Sequence, residues 1–525
     1  MNASPSYDAI VLGGGPNGLM CAAYLARAGH RVALLERRHE TGGGLNTEEY
    51  FGFRFNLHAV YHLMGERMPA HGDLGLAALG VRYLYPPAVA SFALRDGKAL
   101  VFTRDPRETA RAIEALCAAD ASRYLRMWDE FQPMLDEYLV PMTYELPRPG
   151  LDQVVALGRT PVGQRLAELS ELTFIQVLDH FGFADPRVRM ALLAFPAMWG
   201  LALDEPLGFL FPLYLCRMLA AGLVKGGSHR LSSAIYRSFV SAGGTVLDAC
   251  EATRIVVEGG TVAAVDSADG RRLATRTVVS TLDPTQTFAE LLRGVALPED
   301  LRSSVDGWQW EERSLFGLHL GVRGEVRFHC AAADPRVAES MIVFLGIDTD
   351  DELIAHLRHV DAGHPDGCEW MHVTVPSRFD ATMAPPGHAV LRGESVVAYD
   401  PAWPERAHAF GDSALALLAR HAELGEIVLR RHHTPVDIER KLTTMKRGSI
   451  KHGALKPLQM GYYRPNDLCS RSATPVPGLF LGGASMYPGG MILGGPGYLA
   501  AQVVGEHLAN ASGGARSGST APADP

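Results

Sequence analysis

Closely spaced cysteine pairs are missing from this sequence. Its seven cysteines are scattered over 525 residues and form no cluster with histidine at the spacing of metal ligands. This pattern excludes a disulfide framework and a zinc-binding module as organising features. We therefore expect a reducing, cytoplasmic environment and no bound metal.

Positive charge is in short supply as well. Lysine and arginine together number 49 against 58 acidic residues, which gives a formal net charge of −9, and no basic arm or tail is present. Proteins bind nucleic acids largely by neutralising phosphates with lysine and arginine. The charge balance therefore argues against a nucleic-acid partner.

Long apolar runs are absent too. No stretch of about 18 uninterrupted apolar residues occurs, and the start, "MNASPSYDAIVL", lacks the basic and apolar regions of a signal peptide. The most apolar segment, residues 190–223, is interrupted by Asp204, Glu205 and three prolines. We expect this segment to form buried helices or a cavity wall, with peripheral contact between an apolar surface and a membrane as the alternative.

A nucleotide-binding pattern opens the sequence. "YDAIVLG" predicts a buried parallel strand and "PNGLMCAAYLARAG" predicts a helix. Between them Gly13, Gly15 and Gly18 have the spacing G-x-G-x-x-G, which allows a tight turn, a close approach to a pyrophosphate, and packing of helix on strand. Pro16 and Asn17 begin the helix, whose free amides would face the phosphates.

The next strand supports this interpretation. "RVALLE" ends in Glu36, at the distance expected for a carboxylate that binds ribose hydroxyls, and Arg37 follows it. An acidic residue here disfavours a 2′-phosphate, so NADP is the least favoured ligand. FAD and NAD share this fingerprint, and other parts of the chain must distinguish them.

Two glycine-rich stretches favour FAD. In "ERRHETGGGLNTEEY" a second turn would pass the diphosphate and ribityl portions of the cofactor, at Gly42, Gly43, Gly44, Leu45 and Asn46. In "PGLFLGGASMYPGGMILGGPGYLAAQ" we expect a strand over residues 479–481, a loop, and a helix from about Gly495. Such a helix directs its positive end at the loop, which suits a reduced flavin. The loop residues predicted to bind the flavin are Gly482, Gly483, Gly489, Gly490 and Met491.

These stretches resemble the phytoene desaturase-like flavoproteins, within the amine oxidase and glutathione-reductase-type FAD superfamily. Further blocks, among them "GGSHRLSSAIYRSF", "VVSTLDPTQTF", "GSIKHGAL" and "MYPGGMILGGPG", extend the resemblance over nearly the whole chain. It is strongest to the branch that includes the pyridine nucleotide-disulfide oxidoreductase domain-containing protein 2 group. One departure is Gly44, because amine oxidases and most phytoene desaturases carry arginine there.

The resemblance implies an α/β fold in which a Rossmann-type FAD-binding domain, similar to that of glutathione reductase, is interleaved with an α+β substrate-binding domain. In the first, Ile255 and Val256 would contact adenine through their backbone. In the second, we expect a helical first part, and strands in "SLFGLHLGV" and "EWMHVTVPS" that cover the flavin. The expected boundaries are 1–71, 223–290 and 441–510 for the FAD-binding domain, 72–222 and 291–440 for the substrate domain, and 511–525 for a disordered tail.

The resemblance also implies a reaction. A hydride would pass from a substrate C–H bond to flavin N5, and a base or water would take a proton. The substrate would be a hydrophobic small molecule, and the electrons would leave to oxygen or a quinone, since one fingerprint offers no second site for NAD(P)H. The candidate acid or base residues are His58, His62, His452 and Tyr487, each with a structural, hydrogen-bonded role as the alternative.

Other activities remain open at this point. A redox-neutral carotenoid or polyene isomerase would give a product of unchanged mass, and an amine oxidase would produce peroxide from amines. A prenyl-lipid binder without flavin is a non-enzymatic alternative, against which the intact glycine motifs argue. The oligomeric state is left open.

Overall fold

The computed structural model describes residues 6–363 and 367–517. Its strands are β1 Ala9–Leu12, β2 Val32–Leu35, β3 Thr47–Tyr50, β4 Phe53–Asn56, β5 Tyr83–Leu84, β6 Ala88–Ala93, β7 Ala99–Thr103, β8 Leu223–Val224, β9 Thr245–Leu247, β10 Ala252–Glu258, β11 Thr261–Ser267, β12 Arg272–Ala274, β13 Val278–Ser280, β14 Arg313–Phe328, β15 Ser340–Leu345, β16 Met371–Thr374, β17 His388–Ala398, β18 Ala422–His433 and β19 Leu479–Leu481.

The helices lie between these strands in a mixed order. They are α1 Pro16–Arg27, α2 Pro69–Asp73, α3 Pro106–Glu114, α4 Ala118–Met134, α5 Val140–Met142, α6 Gly150–Leu157, α7 Pro161–Leu169, α8 Phe174–Phe181, α9 Pro186–Ala197, α10 His229–Ser241, α11 Glu299–Asp306, α12 Asp350–Asp361, α13 Trp403–His421, α14 Pro435–Lys441 and α15 Gly495–Ser517.

A five-stranded parallel sheet in the order β19-β13-β1-β2-β9 forms the first layer. Every residue of β1, β2, β13 and β19 is buried, as expected for a parallel sheet covered on both faces. Helix α1 packs against α10 and α15 beside this sheet. The predicted strand, glycine turn, helix and second strand are confirmed, and so is the strand at residues 479–481.

A seven-stranded sheet, β18-β14-β17-β16-β15-β6-β7, forms the second large layer. Its pairs are antiparallel except for β15 with β6. One face is apolar and packs on α13, while the other carries alternate residues toward the first sheet. The strands predicted in "SLFGLHLGV" and "EWMHVTVPS" are confirmed as β14 and β16.

The expectation of a helical segment over residues 72–222 was incomplete. This segment also contains β5, β6 and β7, of which two join the seven-stranded sheet. Strand β6 pairs with β15, placing Ala88 opposite Ser340. Whether a segment forms a strand depends on the strands beside it. Because the partner of β6 is so distant in the chain, no local sequence pattern indicates this strand.

The apolar segment of residues 190–223 is buried, as expected. Nine of the twelve residues of α9 are buried, and the following turns pack into the same core. The alternative, a membrane-touching surface formed by this segment, was therefore wrong. No helix within residues 6–363 and 367–517 has the length and apolarity needed to cross a bilayer.

The final helix is longer than expected. Helix α15 continues to Ser517, and disorder of the tail over residues 511–525 stays a prediction. Adding residues to an existing helix costs little compared with starting one. Residues 518–525 of the predicted tail lie outside the described part of the chain.

Candidate active site

One cavity with an accessible volume of about 250 Å³ lies between the two large sheets. Its nucleotide end is formed by the loops that follow β1, β2 and β13, and includes Gly13, Gly15, Glu36, Arg38 and Thr281. Its sheet end is formed by the seven-stranded sheet and the segments facing it, and includes Val60, Tyr61, Met198, Trp199, Leu315, His372, Arg392, Glu394 and Ile450. The cavity therefore connects a nucleotide-binding turn with the face of the second sheet.

The glycine turn leaves space for a diphosphate. A Cβ atom on Gly18 would lie 1.9 Å from the carbonyl oxygen of Gly13, so this glycine is needed for α1 to pack on the turn. Gly13 has a φ of +95°. A Cβ on Gly15, by contrast, would meet no atom within 4 Å, and Gly15 lines the cavity at the N-terminus of α1. The open space and free helix amides fit a phosphate group.

Glu36 is held in place by the backbone. One of its carboxylate oxygens accepts a hydrogen bond from the amide of Gly14 at 2.8 Å, and the other accepts one from the amide of Arg38 at 2.8 Å. Each oxygen retains a lone pair for a further donor. Arg38 also lines the cavity, and its buried Nη1 has no hydrogen-bond partner within the described residues. An acceptor for ribose hydroxyls thus occurs beside an arginine that pairs with Glu40 through Nη2 and has a free donor at Nη1.

Part of the cavity wall is formed by backbone at Gly43 and Gly15. A Cβ on Gly43 would lie 3.1 Å from the Cα of Gly15, so the two glycine turns pack against each other. On the opposite wall Met491 and Ile492 have φ values of +64° and +56°. Such left-handed geometry costs free energy in residues other than glycine and is concentrated at functional sites.

Eleven of the residues predicted to bind the cofactor line this cavity. They are Gly13, Gly15, Pro16, Asn17, Gly18, Glu36, Arg37, Gly43, Gly44, Gly490 and Met491.

Other predicted glycines do not belong to the cavity lining and instead let elements pack closely. A Cβ on Gly42 would lie 2.8 Å from Oγ of Ser232 in α10, and one on Gly482 would lie 2.8 Å from the Cβ of Ala500 in α15. A Cβ on Gly483 would lie 2.4 Å from the carbonyl oxygen of Thr281. These three glycines lie outside the cavity lining, and their contact with the cofactor stays a prediction.

The remaining predicted contacts are displaced from the cavity as well. Leu45 and Asn46 are buried beneath the second turn, and Gly489 approaches Arg464 instead. Ile255 and Val256 are buried in β10, where they pair with β11. Cys250 and Glu251, just before that strand, and its first residue Ala252 line the cavity. Strand β10 leaves the cavity after its first residue, and the backbone contact of Ile255 and Val256 with adenine stays a prediction.

The four candidate acid or base residues separate into two pairs. His58 and His452 line the cavity, whereas His62 and Tyr487 do not. Both ring nitrogens of His62 are engaged, Nδ1 with the Tyr83 hydroxyl at 3.2 Å and Nε2 with Ser228 Oγ at 3.1 Å. The Tyr487 hydroxyl donates to the carbonyl of Met142. The latter two side chains therefore have structural hydrogen bonds.

His58 and His452 are held in the neutral form. Burial lowers the pKa of His58 well below its usual value, and the nearby charges of His433 and Arg392 add to this effect. Burial also lowers the pKa of His452 to about 4, with a contribution from Arg464. Neither ring has a carboxylate partner among the hydrogen bonds of the described residues.

A buried polar group at the sheet end was missed by the sequence analysis. His372 of β16 lies directly opposite Glu394 of β17, and its Nε2 is 3.0 Å from Glu394 Oε2. Arg392 donates to the other carboxylate oxygen, and also to the carbonyl of His58 at 2.9 Å. Burial acts to raise the pKa of Glu394, but Arg392 and His372 outweigh it, so the pKa is lowered. The alternation of polar residues in "LRGESVVA" is the sequence feature that could have indicated a polar group on one face of this strand.

Comparisons with known proteins agree with this architecture. Residues 11–74 match the family model described as NAD(P)-binding Rossmann-like domain. A limonene dehydrogenase polypeptide of Castellaniella defragrans is 40% identical to this chain, with 95% of each chain covered. The chain belongs to the phytoene desaturase-like FAD-dependent oxidoreductases. Within this family it is also similar to mouse pyridine nucleotide-disulfide oxidoreductase domain-containing protein 2, at 29% identity over 96% of this chain and 94% of the other.

A solved structure shows the same fold. An oxidoreductase from Methanosarcina mazei superposes with a TM-score of 0.59 at 16% identity, covering 95% of this chain and 99% of that one. This phytoene desaturase-like protein is thus an oxidoreductase with a Rossmann-type domain.

Proposed function

We propose that the cavity binds FAD and that the substrate is a limonene-like cyclic monoterpene. The observation that carries the proposal is the single cavity that joins the glycine turn to the sheet end. The open face of Gly15, the Glu36 carboxylate and the Nη1 atom of Arg38, which has no partner within the described residues, fit the ribose and diphosphate of FAD. When bound, the flavin supplies a hydride acceptor whose electrons pass to oxygen or a quinone.

The sheet end suits a hydrocarbon. Val60, Met198, Leu315 and Ile450 contribute apolar surface there, and Trp199 adds an aromatic ring. Burial of these side chains keeps water away from a substrate, which favours apolar ligands of small size. The similarity to the limonene dehydrogenase polypeptide over 95% of both chains supports a monoterpene as the substrate.

The proposed domain division is the one expected from the sequence. The strands of the five-stranded sheet all come from residues 1–71, 223–290 and 441–510, and those of the seven-stranded sheet from 72–222 and 291–440. This distribution supports an FAD-binding domain interleaved with a substrate domain.

The test is the visible spectrum of the purified protein, followed by anaerobic addition of limonene. We expect an oxidised flavin spectrum that bleaches with limonene but not with its saturated analogue p-menthane, which has no allylic C–H bond. Bleaching with putrescine instead would support an amine oxidase. An isomer of limonene formed with the flavin still oxidised at the end would support a redox-neutral isomerase. A protein that remains colourless after incubation with FAD would contradict the proposal.

A further inference from the structure

The polar residues on the cavity-facing side of the seven-stranded sheet form a connected group. His372 and Glu394 are cross-strand neighbours in the antiparallel pair β16 and β17, so their side chains leave the same face of the sheet. Arg392 lies two residues before Glu394 and therefore shares that face. All three are buried, with exposed fractions of 2%, 6% and 4% for His372, Glu394 and Arg392, and all three line the cavity.

The hydrogen bonds of this group determine which ring nitrogen of His372 is free. Glu394 is an anion paired with the Arg392 guanidinium, and its Oε2 lies 3.0 Å from Nε2 of His372. A carboxylate only accepts hydrogen bonds, so Nε2 must carry the proton. Nδ1 then bears the lone pair, and it has no hydrogen-bond partner within the described residues. A histidine oriented by a carboxylate, with its second nitrogen free, is the arrangement of a general base.

We propose that His372 is the base that takes the substrate proton in the dehydrogenation, with Glu394 and Arg392 as positioning residues. This inference rests on the proposed function. The hydride and its electron pair leave one substrate carbon for the flavin. A C–H bond on the neighbouring carbon breaks, its proton forms an N–H bond at Nδ1, and its electron pair becomes the π bond of the product.

The other histidines of the cavity lack this arrangement. His58 packs edge-on against His433, with ring centroids 5.1 Å apart, and its immediate charged neighbour is the cation Arg392. His452 is influenced by the cation Arg464. A proton added to either ring would be repelled, whereas a proton added to His372 would be stabilised by the Glu394 carboxylate.

The first experiment compares anaerobic flavin reduction by limonene in His372→Gln and the parent protein. Glutamine can still donate to Glu394 but offers no basic nitrogen. We expect the reduction rate to fall about 100-fold or more, the contribution typical of a general base, with the dissociation constant of p-menthane unchanged. The matched control is His356→Gln, because His356 also contacts a carboxylate, Glu369 at 3.4 Å, but does not line this cavity. It should react at the parental rate. Equal rates in His372→Gln and the parent would overturn the inference.

The second experiment needs no turnover and separates the inference from the proposed function. In protein labelled with nitrogen-15 histidine, we expect one ring with protonated Nε2 and unprotonated Nδ1, whose signals are absent in His372→Gln. Adding menthol, whose hydroxyl can donate to Nδ1, should shift that Nδ1 signal. A protonated Nδ1 would contradict the inference. An Nδ1 signal that menthol does not shift would contradict it as well, provided that the menthol concentration saturates the site as judged from p-menthane binding. If limonene does not reduce the flavin of the parent protein, this result would instead contradict the proposed substrate.

Discussion

Gly15 and Gly18 stand three residues apart in one turn, yet their surroundings require glycine for different reasons. An added Cβ would enter open space at Gly15 and would collide with the backbone of Gly13 at Gly18. Gly15 has a φ of −68°, which alanine adopts without strain. We therefore expect Gly15→Ala to fold with parental stability but to bind FAD at least about tenfold more weakly, because the methyl group occupies the space of the diphosphate.

Gly18→Ala is the matched comparison for this prediction. Its methyl group must push α1 away from the turn, so we expect a loss of about 1–3 kcal/mol in the free energy of unfolding, as in other overpacked sites. Flavin titration and urea unfolding of both variants would distinguish the two effects. A Gly15→Ala variant that retains FAD as tightly as the parent would contradict a diphosphate at this position.

The buried carboxyl of Asp283, close to the cavity loop of Thr281, should make the free energy of unfolding depend on pH. Burial raises the pKa of its carboxyl to about 6, with a smaller contribution from Glu290. One oxygen accepts from the Gln286 amide at 3.0 Å, and Oδ2 has no partner within the described residues. The folded state therefore holds the proton more tightly than the unfolded state, whose pKa is about 3.9. The contribution of the Asp283 carboxyl to the free energy of unfolding therefore falls as the pH rises from about 4 to 6, and it stays low above that range.

Asp283→Asn removes the buried charge and keeps the acceptor for Gln286. We expect this variant to be more stable than the parent by about 1 kcal/mol at pH 7.5, and the gain to shrink toward zero near pH 4, where the parent carboxyl is protonated. Urea unfolding at both pH values measures the difference. If Asp283→Asn were stabilised by the same amount at both pH values, burial of the charge would not be the cause of the stabilisation.

At the scale of single elements, what could be predicted from the sequence depended on how local the cause was. The bounds of β1, α1 and β2 follow from apolar runs and glycine spacing inside about 30 residues, and they were predicted closely. The contact between His372 and Glu394 depends on the register of two strands, which no local pattern specifies. The position of Ile255 outside the cavity lining also depends on strand pairing, since it lies in β10 opposite Val265 of β11.

The turn after α14 that carries His452 depends on a buried ion pair. Lys451 contacts Glu311 in the interior, and its ammonium also donates to the carbonyl of Trp199 at 2.8 Å. Arg464 donates to the carbonyl of Lys451 at 2.9 Å. Burial raises the pKa of Glu311 and lowers that of Lys451. The pair therefore fixes a segment that has little regular secondary structure of its own.

Lys451→Met should leave the Glu311 carboxylate buried without its cation. We expect a loss of about 3 kcal/mol in the free energy of unfolding, typical of one broken partner in a buried pair. The double variant Glu311→Gln with Lys451→Met should recover part of this loss, because no unpaired charge remains. Urea unfolding measures both. A double variant as unstable as the single one would mean that packing, and not the lost charge, sets the cost.

At the scale of the whole molecule, the two sheets are interdependent. Strand β1 lies between β2 and β13, which are more than 240 residues apart in the chain, and β6 and β7 of the second sheet come between them in sequence. The cavity that we assign to FAD is bounded by both sheets. A ligand there binds only when both are folded, which couples their stabilities.

We therefore expect one cooperative unfolding transition, with far-ultraviolet circular dichroism and flavin fluorescence changing at the same urea concentration. Free FAD at 100 times its dissociation constant should raise the free energy of unfolding by about 2.7 kcal/mol. At the same FAD concentration a tenfold weaker Gly15→Ala should keep only about half of this increase, about 1.4 kcal/mol, although its stability without FAD is unchanged. Two separate transitions, only one of them moved by FAD, would show that the sheets unfold independently and that the cofactor is held by the first sheet alone.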